Sequence, residues 1–587
     1  MQSPRFILLL LLFLTGAGVD ASTRAPIPTF EDGKTPGVEI HVDTSSGNDT
    51  TGDGSATSPY ATIARGLQDA VPGAAVRIHP GEYNVRVNIT DLAGTAADPI
   101  WIGGVPGQAK PVIQGQSEGV HLTRTRYLIL HDLEVRNATQ NGVNCDDGGQ
   151  YSNPDATRYM IFRDLHVHDI GGTGNQDGIK LSGVDDYWVL NCRIDTIGGG
   201  ISGSGVDHVG CHNGVLAYNV ISNTSGSGIQ CKGGSSDLEI RGNRIADFGQ
   251  RSVNIGGSTG FEFFRPPLSE TEPNVEARNI RLVGNIIKGG VASLAFVGCV
   301  DCEAVNNTFI TPTNWLVRVL QETTTSPPYT FLECANNTVR NNIFYFDRSA
   351  LANSNINVGG NTDAPSFTWS NNLWFAYNNP AQSTPNPNPT QSNPIYGSDP
   401  DFADAAGDDY RIKAGSPAIG SGLTLPADET DFAGALFEDP PAVGAFELTA
   451  WEAWRAEKFP LPAQLADPAI SGPEAVPGGD GIPNFVKFTF NLLPFQNETA
   501  RLPSAALVND RLQFAYARPL NAECHVDVVI EVSSNLTDWF SGPAYTVANP
   551  PVGLGDDTEL ITVEDLATTS TARKRFMRSV VRFVDGG

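Results

Sequence analysis

A β-solenoid, in which strands stack rung upon rung as a parallel β-helix, is the fold class this sequence predicts. Three observations predict it. First, Asp177 to Gly257 is self-similar: DGIKLSG, SGVDHVG, SGIQCKG and RSVNIGG align on Ile179, Val206, Ile229 and Val253, at spacings of 27, 23 and 24 residues. A repeat of about 20–30 residues marks a solenoid. Second, each unit carries short runs of alternating apolar and polar residues, the period of strands. Third, Gly, Asn, Asp and Ser break these runs, and no helical period is present.

Taken in order, the chain opens MQSPRFILLLLLFLTGAGVDAS, with Arg5, an apolar run from Phe6 to Leu14 and small residues at Val19-Asp20-Ala21. This is the pattern of a secretory signal peptide, and cleavage is expected after Ala21. The protein is therefore expected to be secreted, at the cell surface or in the periplasm. No later stretch suggests membrane insertion. A net charge of −27 argues against nucleic acid as a partner, since that needs a basic stripe. It also opposes an anionic substrate unless bases are gathered locally. Gly (62) and Pro (40) are abundant without a collagen period, which suits a turn-rich all-β chain.

Residues 22–37 read as a Pro/Thr-rich lead-in. From Val38 come a strand, a Gly/Asp/Ser loop and a capping helix expected over Tyr60 to Val71, with Ile63, Leu67 and Val71 on one face. A first rung needs such a cover against edge pairing. Rungs then run from about Pro99 to Phe346. Asn219, Asn243, Asn285, Asn307 and Asn342 recur in an Asn-x-apolar pattern, read as a stacked asparagine turn inside the coil. The solenoid, 38–448, is expected to close with SDPDFADAAGDDYRIKAGSPAIG and GAFE. A linker (449–500) and a C-terminal β-sandwich (501–587) follow. GDGIPN at 479–484 looks like a degenerate Asp-rich turn in which Asp480 and Asn484 are the remaining ligands of a calcium loop.

Alternation decides which side chains leave the coil. With Ile179, Val206, Ile229 and Val253 inward, the outward column reads Asn144, Lys180, Asp207, Gln230, Asn254, Ala295 and Arg318. A second outward column is Asp146, Ser182, Val209 and Lys232. Asp177, Ser204, Ser227 and Arg251 lead into the strands. The bland reading is a solvated face. Long polar side chains of both charges favour a polymer-binding groove instead. The insertion GFEFFRPPLSETEPNVEA (260–277), which carries Arg265, leaves the rung just after Asn254 and is expected to wall that groove. The same register turns His208 inward, whereas a one-residue bulge would bring it into the groove as a base beside Asp207. His166 and His168 read as structural, as do Cys145 and Cys231. Cys299 and Cys302 leave open a local disulfide or two free thiols.

The opening strand, loop, helix and PGEY turn, the rung repeat and the closing segment together resemble the pectate-lyase-like superfamily of right-handed parallel β-helices, over about 38–448. The stretch SGIQCKGGSSDLEIRGNRIADFGQRSVNIGG is similar to the branch containing chondroitinase B and alginate lyases. That resemblance implies β-elimination on a uronate polysaccharide by a monomer, with Lys232 as base and Arg251 offsetting the developing charge. Lys180, Asp207, Gln230, Asn254, Arg265 and Arg318 would bind substrate. Ca²⁺ would be held by Asp146, Asp177 and Asp207, although these can equally pair with Lys180 and Lys232. This chain departs from the branch in placing Ile255-Gly256-Gly257 where the branch has its arginine. A glycoside hydrolase using Asp177 with Asp207, and a non-catalytic glycan-binding or adhesion solenoid, remain alternatives.

Overall fold

The computed structural model describes residues 11–12, 27–172, 176–198, 202–503, 505–520, 526–555, 558–572 and 574–583. The expected signal peptide lies outside them, apart from Leu11 and Leu12, which stand in parallel register with Val580 and Val581. Among the described residues no helix is long and apolar enough to cross a membrane.

Three parallel sheets of 14, 12 and 10 strands form the walls of one coil. Each turn of the chain contributes a strand to each sheet in succession, as with Arg158–Arg163, His166–Ile170 and Ile179–Ser182. The register in the ten-stranded sheet is the expected one. Ile179 pairs with Val206, Val206 with Ile229, and Ile229 with Val253. These four side chains expose no surface and belong to a single core running the length of the coil. Burying each is worth about 1.5–3 kcal/mol, so a register slip that turned a strand over would be costly.

At one corner of the coil the expected asparagines form a ladder. The side-chain amide of Asn219 donates to Asn243 Oδ1, Asn243 to Asn285, Asn285 to Asn307, and Asn307 to Asn342. The structure adds Asn372, which accepts from Asn342. The backbone N–H beside each donor bonds the same oxygen, as Asn219 N does with Asn243 Oδ1. The preceding rungs carry Leu133, Leu165 and Cys192 just before the corresponding strands, all buried.

Three boundaries differ from expectation. The capping helix spans only Ile63–Gln68, with Thr62 accepting from Arg65 N at its start. It ends before Val71 because Asp69, its C-cap, is drawn to the Arg65 guanidinium and the Tyr60 hydroxyl. The lead-in is docked: Phe30 packs against Tyr127, Tyr159 and Trp188, and Glu31 pairs with Arg163 at 2.8 Å. The coil ends at Ile395–Tyr396. Its expected last segment turns back across the outer face of the 12-stranded sheet, where Phe402, Tyr410, Phe432 and Phe446 cover Ile286, Ile310 and Ile343. Apolar residues on that outer face (Ile286 and Ile310 beside the inward Ile287 and Phe309) require such a cover. Within this segment Asp431 is buried and accepts from Glu447 N and Ala435 N at 3.0 and 2.8 Å. Burial pushes its carboxyl up to about 7, against those backbone bonds.

The expected linker is folded. It holds helices Ala450–Lys458, Pro462–Leu465, Pro468–Ser471 and Asn484–Thr489. Phe485, Val486 and Phe490 share a core with Phe514, Ile530 and Val563 of the C-terminal strands. Those strands form two antiparallel sheets, one built on Arg511–Pro519 and Thr558–Thr568, the other on Val526–Ser533 and Phe576–Phe583. In the Asp-rich turn an ammonium stands among the oxygens. Lys487 Nζ lies 2.9 Å from Asp480 Oδ2 and donates to the carbonyls of Pro494 and Gln496 at 3.0 and 2.9 Å. Neither charged side chain exposes any surface. Asn484 instead donates to Ile470 and Gly472.

Candidate functional site

The outward columns of the ten-stranded sheet stand as read. Asn144 pairs with Lys180, Lys180 with Asp207, Asp207 with Gln230, and Gln230 with Asn254, while Asp146 pairs with Ser182 and Val209 with Lys232. Over these columns opens a cleft of about 660 Å³. Its floor includes His121, Asn144, Asp146, Lys180, Ser182 and Lys232, and its walls include Tyr151, Thr259, Phe263 and Arg265.

The insertion walls the cleft, and two buried acids hold it there. Glu276 accepts from Gly233 N, Thr259 N and Thr259 Oγ1 at 2.8, 2.9 and 2.7 Å, and from the Thr323 hydroxyl. Asp147 receives the Arg265 guanidinium at 2.7 and 3.1 Å, and that guanidinium lies over the Tyr151 ring at 4.1 Å. The pair ties the insertion to the loop after Asp146, 118 residues earlier. The glycines flanking Lys232 serve this packing. Gly234 has φ +92°, and a Cβ there would lie 2.5 Å from the Arg265 carbonyl oxygen. The space beside Lys232 is thus occupied by the backbone of the wall.

A charged cluster lies under the cleft. Lys180 Nζ bonds Asp207 Oδ2 and lies 3.5 Å from Asp177 Oδ2. Lys232 Nζ lies 3.6 Å from Asp207 Oδ2. Both carboxylates are almost fully buried, at 1% side-chain exposure. Burial raises the Asp177 carboxyl, with Lys180 opposing and Asp207 reinforcing the rise. Burial would also raise Asp207, but Lys180 and Lys232 hold it below the usual range. Burial disfavours the Lys180 charge, and Asp207 and Asp177 outweigh it, so this ammonium keeps its proton. Among the described residues no hydrogen bond reaches Asp207 Oδ1 or Asp177 Oδ2. At the far end of the cleft Asp146 bonds His121 Nε2 at 2.7 Å and the Thr123 hydroxyl, and that hydrogen bond raises the His121 pKa against desolvation.

The remaining expected residues stand elsewhere. His208 points inward with no exposed surface, bonds the Gln230 carbonyl at 2.9 Å and is pushed down to about 4 by burial. The regular register leaves no bulge to turn it outward. Arg251 donates to Asn254 Oδ1 at 2.9 Å and to Glu322, which draws it away from Lys232. Asn254 is 2% exposed and spends its amide on Gly256 O. Arg318, two strands beyond Asn254, lies over Trp315 and bonds Asn357. Gln230 stands in the outward column between Asp207 and Asn254. Asp146, Asp177 and Asp207 do not converge as one ligand set among the described residues. Lys180 already occupies the space between the latter two, so these residues do not fit calcium. Cys145, Cys231, Cys299 and Cys302 are buried free thiols, and Cys299 Sγ faces Cys334 Sγ at 4.0 Å.

Sequence reasoning missed His121, Arg124, Asp147, Tyr151 and Glu276. His121 was within reach, since it stands in the same outward column one rung before Asn144. The others lie on turns and loops, which follow no strand period.

Residues 118–309 match the family model described as right handed beta helix region. This agrees with the superfamily resemblance read from the sequence. No curated relative matches the chain. Among solved structures, it is similar to pectate lyase Pel9A at 15% identity and a TM-score of 0.44, over 71% of this chain and 97% of that one. It is also similar to an alginate lyase from Paenibacillus sp. (16%, TM-score 0.33, 57% and 93%). A third likeness is to a lacto-N-biosidase from Eubacterium ramulus (15%, TM-score 0.33, 56% and 66%).

Proposed function

We propose that this right-handed β-helix is an exported monomeric enzyme that cleaves a uronate-containing polysaccharide by β-elimination. The observation that carries the reading is local charge. In a chain of net charge −27, one cleft is lined by Lys180, Lys232, Arg124, Arg265 and His121; Asp91, Asp146, Asp147, Asp177 and Asp207 stand beside or beneath them, and Lys232 is left facing the open space. That is the local concentration of bases an anionic polymer requires.

Lys232 is the base of this reading. Its ammonium faces the cleft and makes no hydrogen bond among the described residues, whereas Lys180 is clamped by two carboxylates. As the neutral amine, Lys232 takes the proton from the carbon beside the uronate carboxylate. The released electron pair forms a carbon–carbon double bond, and the glycosidic oxygen at the β position leaves, taking its proton from solvent water. Charge building on the uronate is offset by Lys180 and His121. Arg251 is not asked to do this, being committed to Glu322 and Asn254. No step runs through calcium.

One observation favours a hydrolase as the second reading: Asp177 carries a raised pKa, as a general acid needs. Against it, Asp177 lies beneath Lys180 and does not line the cleft. Incubation with a panel of uronate polysaccharides separates the two. New ultraviolet absorbance from unsaturated ends supports elimination. Reducing ends without absorbance support hydrolysis, and neither product from any glycan leaves a binding solenoid.

A further inference from the structure

A second cluster of chemically capable side chains lies on another wall of the coil. On the 12-stranded sheet, His166 and His168 point outward on either side of the buried Val167. The register sets Glu134 beside His166 on the strand before, and Asp195 beside His168 on the strand after. The bonds run diagonally: His168 Nε2 lies 3.2 Å from Glu134 Oε1, and His166 Nε2 lies 3.1 Å from Asp195 Oδ2. The two rings stack with centroids 4.1 Å apart. All four side chains are partly open to solvent, at 14–29% exposure.

We propose that Glu134, His166 and His168 form a binding site for one divalent transition-metal ion of the zinc class, on two successive rungs, with Asp195 bonded to His166 from the third. Two imidazoles and a carboxylate, with a further position left to solvent, are a donor set that suits such an ion. The donor atoms of Glu134, His166 and His168 all lie within 4.8 Å of one another. A tetrahedral ion with bonds of about 2.0–2.1 Å sets its ligands about 3.3 Å apart, and His168 Nε2 lies 3.2 Å from Glu134 Oε1.

The surroundings of His168 argue the same way. Its Nδ1 lies 2.7 Å from Asp169 Oδ2, and Nε2 is the nitrogen turned toward Glu134. Metal-binding histidines commonly give their other N–H to a carboxylate in this way. Arg136 and Arg193 donate at 3.0 and 2.8 Å to Glu134 Oε1 and Asp195 Oδ2, the same oxygens that face the two imidazoles, and so fix where those oxygens stand. Counting Asp169 and Glu82, which pairs with Arg136, four carboxylates face two guanidiniums, an excess that one divalent ion balances. The ion would join strands 134–136 and 166–170, on a different sheet from the cleft.

The test uses full-length protein purified without a histidine tag and stripped by a chelator. Zn²⁺ is titrated in competition with a chromogenic chelator, and Co²⁺ is followed by its visible spectrum. The expected result is one equivalent bound, a tetrahedral Co²⁺ spectrum, and a melting temperature raised by Zn²⁺ and lowered again by chelator. The pair His166→Gln with His168→Gln should abolish all three, and Asp169→Asn should weaken binding about 10- to 100-fold. His79→Gln, which disrupts the other imidazole pair, His41 with His79, should change nothing. All these side chains face outward or sit at turns, and the far-UV spectrum and metal-free melting of each variant check its fold. Failure to bind Zn²⁺ against the competitor, or equal binding by the double variant, overturns the site.

Discussion

Two lysines sit among oxygen atoms inside this chain, and their surroundings differ in one respect. Lys487 spends its ammonium on Asp480 and two carbonyls, and neither charged side chain exposes any surface. Lys180 stands between two carboxylates, no hydrogen bond among the described residues reaches Asp177 Oδ2 or Asp207 Oδ1, and Lys232 lies on the cleft side of the same acids. Buried polar groups in folded proteins are overwhelmingly satisfied. A closed constellation such as that of Lys487 therefore reads as structural. An open one beside a cleft reads as a place where a ligand completes the set.

The comparison breaks if Lys487 and Lys232, the lysine on the cleft side of the open cluster, behave alike. The largest effect should come from Lys232→Ala, which is expected to lower turnover by about 10²–10⁴-fold, the usual worth of a general base. Its melting temperature should stay near that of the parent, because the side chain faces the cleft. Lys487→Met should do the reverse. It leaves Asp480 charged, buried and unpaired, and should cost about 3–5 kcal/mol in denaturant unfolding of the C-terminal region. Turnover per folded molecule should hold. A loss of turnover there at full folding, or a lowered melting point for Lys232→Ala, would erase the distinction.

A smaller effect sharpens it. Asn285→Leu places in the ladder the residue type that Leu133 and Leu165 supply on earlier rungs. It removes the acceptor of the Asn243 backbone N–H, while Asn307 Oδ1 keeps the N–H of residue 285; the cost is about 1–3 kcal/mol for a buried group left unpaired, and differential scanning calorimetry should read that loss without a change in cleavage. The shallowest effect concerns pH. Asp431 is a buried acid with no lysine beside it, and its carboxyl is raised to about 7. A raised acid contributes stability that is fully present below its unfolded pKa and is lost as pH rises through the folded value. The melting temperature should therefore fall between about pH 4 and pH 7. Asp431→Asn should flatten that slope, and an unchanged slope would remove Asp431 as its source.

Where period two governs the chain, the sequence was legible. Alternation alone put Lys180, Asp207, Gln230 and Lys232 on one face, and it turned His208 inward, because a strand offers each side chain only two directions. The Asn-x-apolar spacing likewise disclosed the ladder. What was not legible depends on contacts between distant residues. Nothing near Arg265 in sequence announces Asp147, and no spacing shows that Arg251 turns to Glu322. The closing segment read as further coil because its short apolar runs resemble strands. Only the apolar outer face at Ile286, Ile310 and Ile343 explains why it folds back. Residues 449–500 read as a linker, yet Trp451, Trp454, Phe459 and Phe488 form a core there with Val526 of the C-terminal strands.

The asparagine ladder also bears on how such a chain can change length. From Asn243 to Asn372 every rung offers the same acceptor to the rung before it and the same donor to the rung after. A duplicated rung inserted there would find a partner on both sides, and one deleted there would leave none stranded. No such freedom exists between Asn144 and Lys232, where each outward side chain differs from its neighbours. One extra rung would move Lys180 about 4.8 Å from Asp207 and dissolve the cluster. The molecule thus joins a stretch whose copy number can drift to one whose count of turns is held constant by its charges.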